Sequence, residues 1–106
     1  MGKVIWDPLA LEQVHAIYDY YYDNASPKVA LDLLNDIMSA PDILLQFPQA
    51  GAKEPIFQGT ETEFRYLVVR KNWKIIYFQL NEACHIAVIW DVRNDPDTLR
   101  ATLSNI

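Results

Sequence analysis

Residues 63–99, EFRYLVVRKNWKIIYFQLNEACHIAVIWDVRNDPDTL, decide the fold. Three runs within it, EFRYLVVR, WKIIYFQL and HIAVIWDV, are rich in β-branched and aromatic residues, the composition of strands on a half-buried pleated surface. Lys71-Asn72 between the first two suits a two-residue hairpin, and LNEACH supplies the next turn. Arg65, Arg70, Lys71, Lys74 and Arg93 interrupt or flank this apolar stretch. That placement is unexpected in a chain of net charge −5.

Upstream, KVIW reads as a short strand that joins the sheet at an edge. DPLALEQVHAIYDYYYDNA follows as a helix, with Asp7 as cap and Pro8 at the first position, where a missing N–H is harmless. Leu11, Val14, Tyr18 and Tyr21 fall at i, i+3, i+7 and i+10 and predict its buried face. Ser26 and Pro27 start a second helix whose apolar positions are Val29, Leu33, Leu34, Ile37 and Met38. Pro41 ends or kinks it, and Ile43, Leu44 and Leu45 continue for a further turn or two. QAGAKEPIFQGTETE has no period and reads as a loop. Downstream, Asp95 and Pro96 open a short last helix. The expected fold is α+β, in the order β-α-α-β-β-β with a short C-terminal helix. Two helices pack on one face of an antiparallel sheet. At 106 residues the chain is expected to form one domain, 1–106.

Composition narrows function mostly by exclusion. A 51% hydrophobic content is that of a globular protein. The acidic balance argues against a dedicated nucleic-acid binder. Cys84 has no partner for a disulfide, and with only His15 and His85 the common Cys/His zinc sites are excluded. Cys84 reads as a small buried hydrophobe and His85 as a packed or half-exposed strand residue. No apolar run approaches the ~20 residues that span a bilayer, and MGKVIWDPLA lacks a secretory core, so the expected location is the cytoplasm. No nucleophile–histidine–carboxylate, phosphate-loop or metal-spaced pattern is present, and no cofactor is expected.

The net charge hides a partition. Residues 1–62 carry −6, residues 63–93 carry +2 and residues 94–106 carry −1, so only the strand region is basic. Strand alternation allows Arg65 and Lys74 to share the face away from the helices, with Arg93 overhanging it. Such cations are also the ordinary hydrophilic side of an antiparallel sheet and discourage edge-to-edge association. The tyrosines of YDYYYD likewise read first as helix-packing residues.

Four stretches, in order and spacing, resemble the RelE/ParE superfamily of bacterial type II toxin–antitoxin toxins. They are AIYDYYYDNASPKVA, LLNDIMSAPDILLQFPQAG, FRYLVVRKNWKIIYF and IAVIWDVRNDP, which together run nearly the full length. The resemblance implies two helices on an antiparallel sheet and a cognate antitoxin whose disordered segment folds on binding. Ribosome-dependent members of the superfamily cut mRNA with a strongly basic sheet face, where clustered cations stabilise charge developing on the phosphate. ParE-like members lack that set and are associated with inhibition of DNA gyrase. Carried over by position, Lys74 matches the basic residue after the hairpin aromatic, Arg93 the one after the last strand, and Arg65 a sheet cation. These three are the candidate catalytic residues. The family's late tyrosine falls near Leu99, and neither Asp97 nor Thr98 replaces it. The expected function is therefore a ParE-like toxin, neutralised by an antitoxin, that inhibits an essential process such as DNA gyrase activity. An mRNA endoribonuclease working at the ribosome, and a non-catalytic antitoxin-binding module, are the alternatives. Oligomeric state stays open.

Overall fold

The computed structural model describes residues 2–55 and 61–104. Its elements are β1 (Lys3–Trp6), α1 (Pro8–Asn24), α2 (Pro27–Ser39), a 3₁₀ helix (Ala40–Leu45), β2 (Ala52–Lys53), β3 (Arg65–Val69), β4 (Trp73–Leu80), β5 (Ala83–Asp91) and α3 (Pro96–Ser104). The α+β fold is as expected, with two refinements to the sheet. It is mixed, in the order β1-β5-β4-β3-β2, because the edge strand β1 runs parallel to β5. A two-residue strand, β2, forms inside the stretch read as a loop and pairs with β3 at the other edge. Residues 56–60 of that stretch lie outside the described residues.

Local chemistry accounts for most element ends. Ser26 Oγ accepts a hydrogen bond from the Val29 N–H at 3.1 Å, capping α2 with Pro27 at its first position. Asp7 occupies the cap position of α1, yet its carboxylate faces His85 Nδ1 at 3.2 Å rather than the helix amides. Pro41 converts the end of α2 into the 3₁₀ turn. In the β4–β5 turn, Asn81 and Glu82 adopt φ of 52° and 64°, the left-handed pair that a two-residue hairpin needs. The β3–β4 turn differs from its prediction. Val69 pairs with Trp73, so the loop is Arg70–Asn72, and the left-handed residues are Arg70 and Lys71.

The buried face of α1 is also rotated from the predicted one. Ala10, Val14, Ile17 and Tyr21 line the core, whereas Leu11 is exposed and Tyr18 half-buried. Counting from the small residue Ala10 gives the correct stripe; weighting by side-chain size gave the wrong one. That stripe, with Leu33 and Ile37 of α2 and Leu44 of the 3₁₀ helix, covers Val69, Trp73, Ile75, Tyr77, Cys84, Ile86 and Ile89. The predicted burial of Cys84 holds, and burial pushes its thiol pKa up.

The opposite face of the sheet has a smaller core. Phe64, Ile76, Ala87, Val88 and Trp90 pack there with Leu99 of α3. A bulge makes both cores possible. Ile76 pairs with Val88 but Tyr77 pairs with Ile86, leaving Ala87 as the extra residue and shifting the alternation of β5. The contiguous apolar run IAVIW can therefore bury side chains on both faces.

Candidate functional site

The register of β3 against β4 fixes where the candidate cations lie. Residues opposite one another in an antiparallel pair share a face. Lys74 is opposite Val68, which places it with Tyr66, Ile76 and Phe78 on the α3 side of the sheet. Arg65 is opposite Tyr77, which places it on the side of α1, α2 and the 3₁₀ helix. The expectation that Arg65 and Lys74 share a face is therefore corrected. Alternation alone could not give the pairing, because one residue of register moves every side chain to the other face.

Lys74 Nζ lies 2.9 Å from Glu54 Oε2 and 4.1 Å from the centroid of the Tyr66 ring. The Glu54 side chain is 2% exposed and that of Lys74 22%, so the carboxylate is in the interior and the ammonium is a charge partner for it. Glu54 follows β2, and its backbone N–H donates to the Phe64 carbonyl at 2.8 Å. The ion pair and this hydrogen bond fasten the β2 edge to the sheet. Glu54 had no signal in the sequence beyond being an acid in an aperiodic stretch.

Arg65 has a comparable role on the other face. Its Nη1 donates to the Gly51 carbonyl at 2.8 Å and to the Gln49 carbonyl at 3.3 Å, while Nε lies 3.4 Å from Glu63. Beside it the Tyr77 hydroxyl donates to the Pro48 carbonyl at 3.1 Å and accepts from the Gly51 N–H at 2.9 Å. A Cβ at Gly51 would stand 2.7 Å from both the Tyr66 carbonyl oxygen and the Tyr77 ring, so no other residue fits without displacement. Arg65, Tyr77 and Gly51 thus form a clamp that holds residues 48–51 against the sheet. Desolvation in this clamp pushes the Tyr77 pKa up.

Arg93 sits in the turn after β5. Its Nε and Nη2 contact the two carboxylate oxygens of Asp91 at 2.9 and 2.7 Å, a bidentate pair. The hydrogen bond from Arg93 holds the Asp91 carboxyl below the usual range, and Asp91, with Tyr21, pushes the guanidinium further above its own. Arg70 completes the set, with Nε 2.7 Å from Asp36 Oδ2. The three predicted site residues do not converge: one is in a clamp under the helical layer, one in a latch on the far face, and one in an exposed turn.

What the far face offers instead is apolar surface. His85 stacks on Phe78 with centroids 5.1 Å apart and an interplanar angle of 10°, and Asp7 holds its Nδ1. Beside this pair Ile5 and Leu80 are exposed on the same side, and Val68 is exposed farther along that face, opposite Lys74. Among the described residues no group of three or more His, Cys, Asp or Glu side chains is arranged to hold a metal, and no helix is long and apolar enough to cross a membrane.

Comparison with known proteins agrees with this geometry. The family model described as "ParE toxin of type II toxin-antitoxin system, parDE" matches residues 4–96. Among solved structures, a chain from "Chromosomal ParDE TA system from P. aeruginosa" superposes with a TM-score of 0.73 at 25% identity, covering 87% of this chain and 97% of that one. No curated protein matches the sequence.

Proposed function

The chain belongs to the ParE toxin family of type II toxin–antitoxin systems, and from that premise we propose that it arrests growth by binding a protein target, DNA gyrase, rather than by cleaving message. The observation that carries this reading is the state of the cations. Each of Arg65, Lys74 and Arg93 already faces a carboxylate, and the three lie in different parts of the molecule. In-line cleavage of RNA needs cations clustered around one phosphate and a group to take the 2′-hydroxyl proton. The position of the superfamily's late tyrosine is held by Leu99, which is 2% exposed and packs in the second core.

Neutralisation follows from the far face of the sheet. Exposed Ile5 and Leu80 beside the Phe78–His85 stack, with Val68 farther along the same face, offer apolar contacts to a segment that is disordered alone and orders on docking. The cognate antitoxin occupies this face in the proposed complex. The test is expression of the chain with and without the product of the reading frame next to its gene. Alone, the chain stops growth; together, growth resumes and the two proteins co-purify. Normal growth during expression of the folded chain alone would overturn the reading.

A further inference from the structure

The outer face of α1 breaks several rules that stabilise a solvent-exposed helix. At 100° per residue, Glu12, Asp19 and Asp23 fall within about 40° of one another and form an acidic ridge. Leu11, Tyr18 and Tyr22 form a parallel row one residue earlier, with the rings of Tyr18 and Tyr22 5.9 Å apart. Leu11 is 46% and Tyr22 49% exposed, and Tyr20, on the other flank of the ridge, is 59% exposed. The helix contains no Lys or Arg at all.

Two parts of that arrangement work against the isolated fold. Asp19 and Asp23 are a like-charge i,i+4 pair, which destabilises a helix where Glu–Lys would support it. Both sit in the C-terminal half, where the helix dipole favours cations, and the last turn holds none. The exposed aromatics are mediocre helix formers and add apolar surface to water. Unmatched carboxylates beside exposed aromatic side chains, on a helix with no lysine or arginine, mark a surface kept for function. The contrast with α2 is instructive: there Lys28 pairs with Asp32 at 2.7 Å and Asp36 pairs with Arg70.

We infer that the outer face of α1 docks a lysine- or arginine-bearing amphipathic helix of the toxin's cellular target, its cations on the Glu12–Asp19–Asp23 ridge and its apolar residues on the flanking Leu11, Tyr18, Tyr20 and Tyr22. Charge complementarity selects the occupant: a nucleic acid is repelled by the ridge, and a neutral apolar segment leaves three carboxylates unmatched. Assignment of this helix to the target, rather than to the antitoxin, rests on the reading of the chain as a toxin. The antitoxin has the apolar sheet face, on the other side of the molecule from the α1–α2 layer.

The test compares the triple reversal Glu12→Lys/Asp19→Lys/Asp23→Lys with a control of equal charge change, Glu61→Lys/Glu82→Lys/Asp97→Lys. The α1 variant is expected to keep antitoxin binding, to gain roughly 2–5 °C in Tm from the repaired helix electrostatics, and to lose growth inhibition at least tenfold. The control is expected to keep growth inhibition. Independently of any growth effect, a leucine–lysine amphipathic peptide titrated into isotope-labelled protein is expected to shift resonances along α1, more weakly as salt rises. Its leucine–glutamate counterpart is expected to shift none. Peptide shifts spread evenly over the protein, loss of antitoxin binding in the folded α1 variant, or full growth inhibition by that variant would each overturn the proposal. If the wild-type chain does not stop growth, the proposed function fails while the peptide titration still decides this surface.

Discussion

In the sheet and the segment bordering it, charge is consumed by the fold, whereas along the outer face of α1 it is left facing water. Lys74 neutralises a buried Glu54, Arg65 ties down two loop carbonyls, and Arg93 chelates Asp91. Glu12, Asp19 and Asp23 are exposed on α1 and have no basic partner among the described residues. The sequence invites the opposite emphasis, since the basic cluster inside an apolar run is what attracts notice. The comparison shows that a charge is available to a partner only when the fold has not already matched it.

The largest effect expected on the consumed side is at the latch. Lys74→Ala removes the ammonium from the buried Glu54 carboxylate and is expected to destabilise the protein by about 3 kcal/mol, read as a drop in the denaturant midpoint. Replacing both partners by Lys74→Met with Glu54→Leu is expected to restore stability to within about 1 kcal/mol, and growth inhibition with it. A double variant that is stable yet inactive would give Lys74 a direct functional role and break the contrast.

Next is the clamp. Gly51→Ala drives a methyl to 2.7 Å from a backbone oxygen and the Tyr77 ring, at an expected cost of about 2 kcal/mol. Tyr77→Phe removes the partner of the Gly51 N–H and is expected to cost about 1–2 kcal/mol. Tyr77 also leaves a pH signature. Its pKa is raised in the folded state, so its contribution is complete below the unfolded value of 10.0 and is lost as pH rises through the folded one. Thermal melts of the wild type should therefore fall off above about pH 10 more steeply than those of Tyr77→Phe.

The smallest effect is at Arg93. Its pair with Asp91 is solvent-exposed on the arginine side, and Arg93→Ala is expected to leave the denaturant midpoint almost unchanged. Because the Asp91 pKa is lowered in the fold, the pair's small contribution is present above the unfolded carboxylate range and fades as pH falls through the folded value. Growth inhibition is expected to be unchanged, which assays of dose against arrest will show.

Much of the fold was legible because it is written in local chemistry. Pro8, Ser26-Pro27 and Asp95-Pro96 start helices, and runs rich in β-branched and aromatic residues mark β3 to β5. The short edge strand β2 escaped notice, since two residues cannot display a period. The rotation of α1 was missed because Ala10 is small, although close packing rewards a small residue as readily as a large one. The site was much less legible. Which face holds Arg65, and that Glu54 reaches Lys74 across 20 positions of chain, depend on register and loop course. Neither leaves a trace in composition or spacing.

The central claim, that this fold acts by docking and not by phosphate chemistry, meets its most direct test in one paired assay. Purified chain is added to gyrase on relaxed plasmid and, in parallel, to a translating extract whose message is read by primer extension. The account predicts loss of supercoiling with intact message. Discrete breaks in translated message, abolished by Arg93→Ala while supercoiling proceeds, would contradict it.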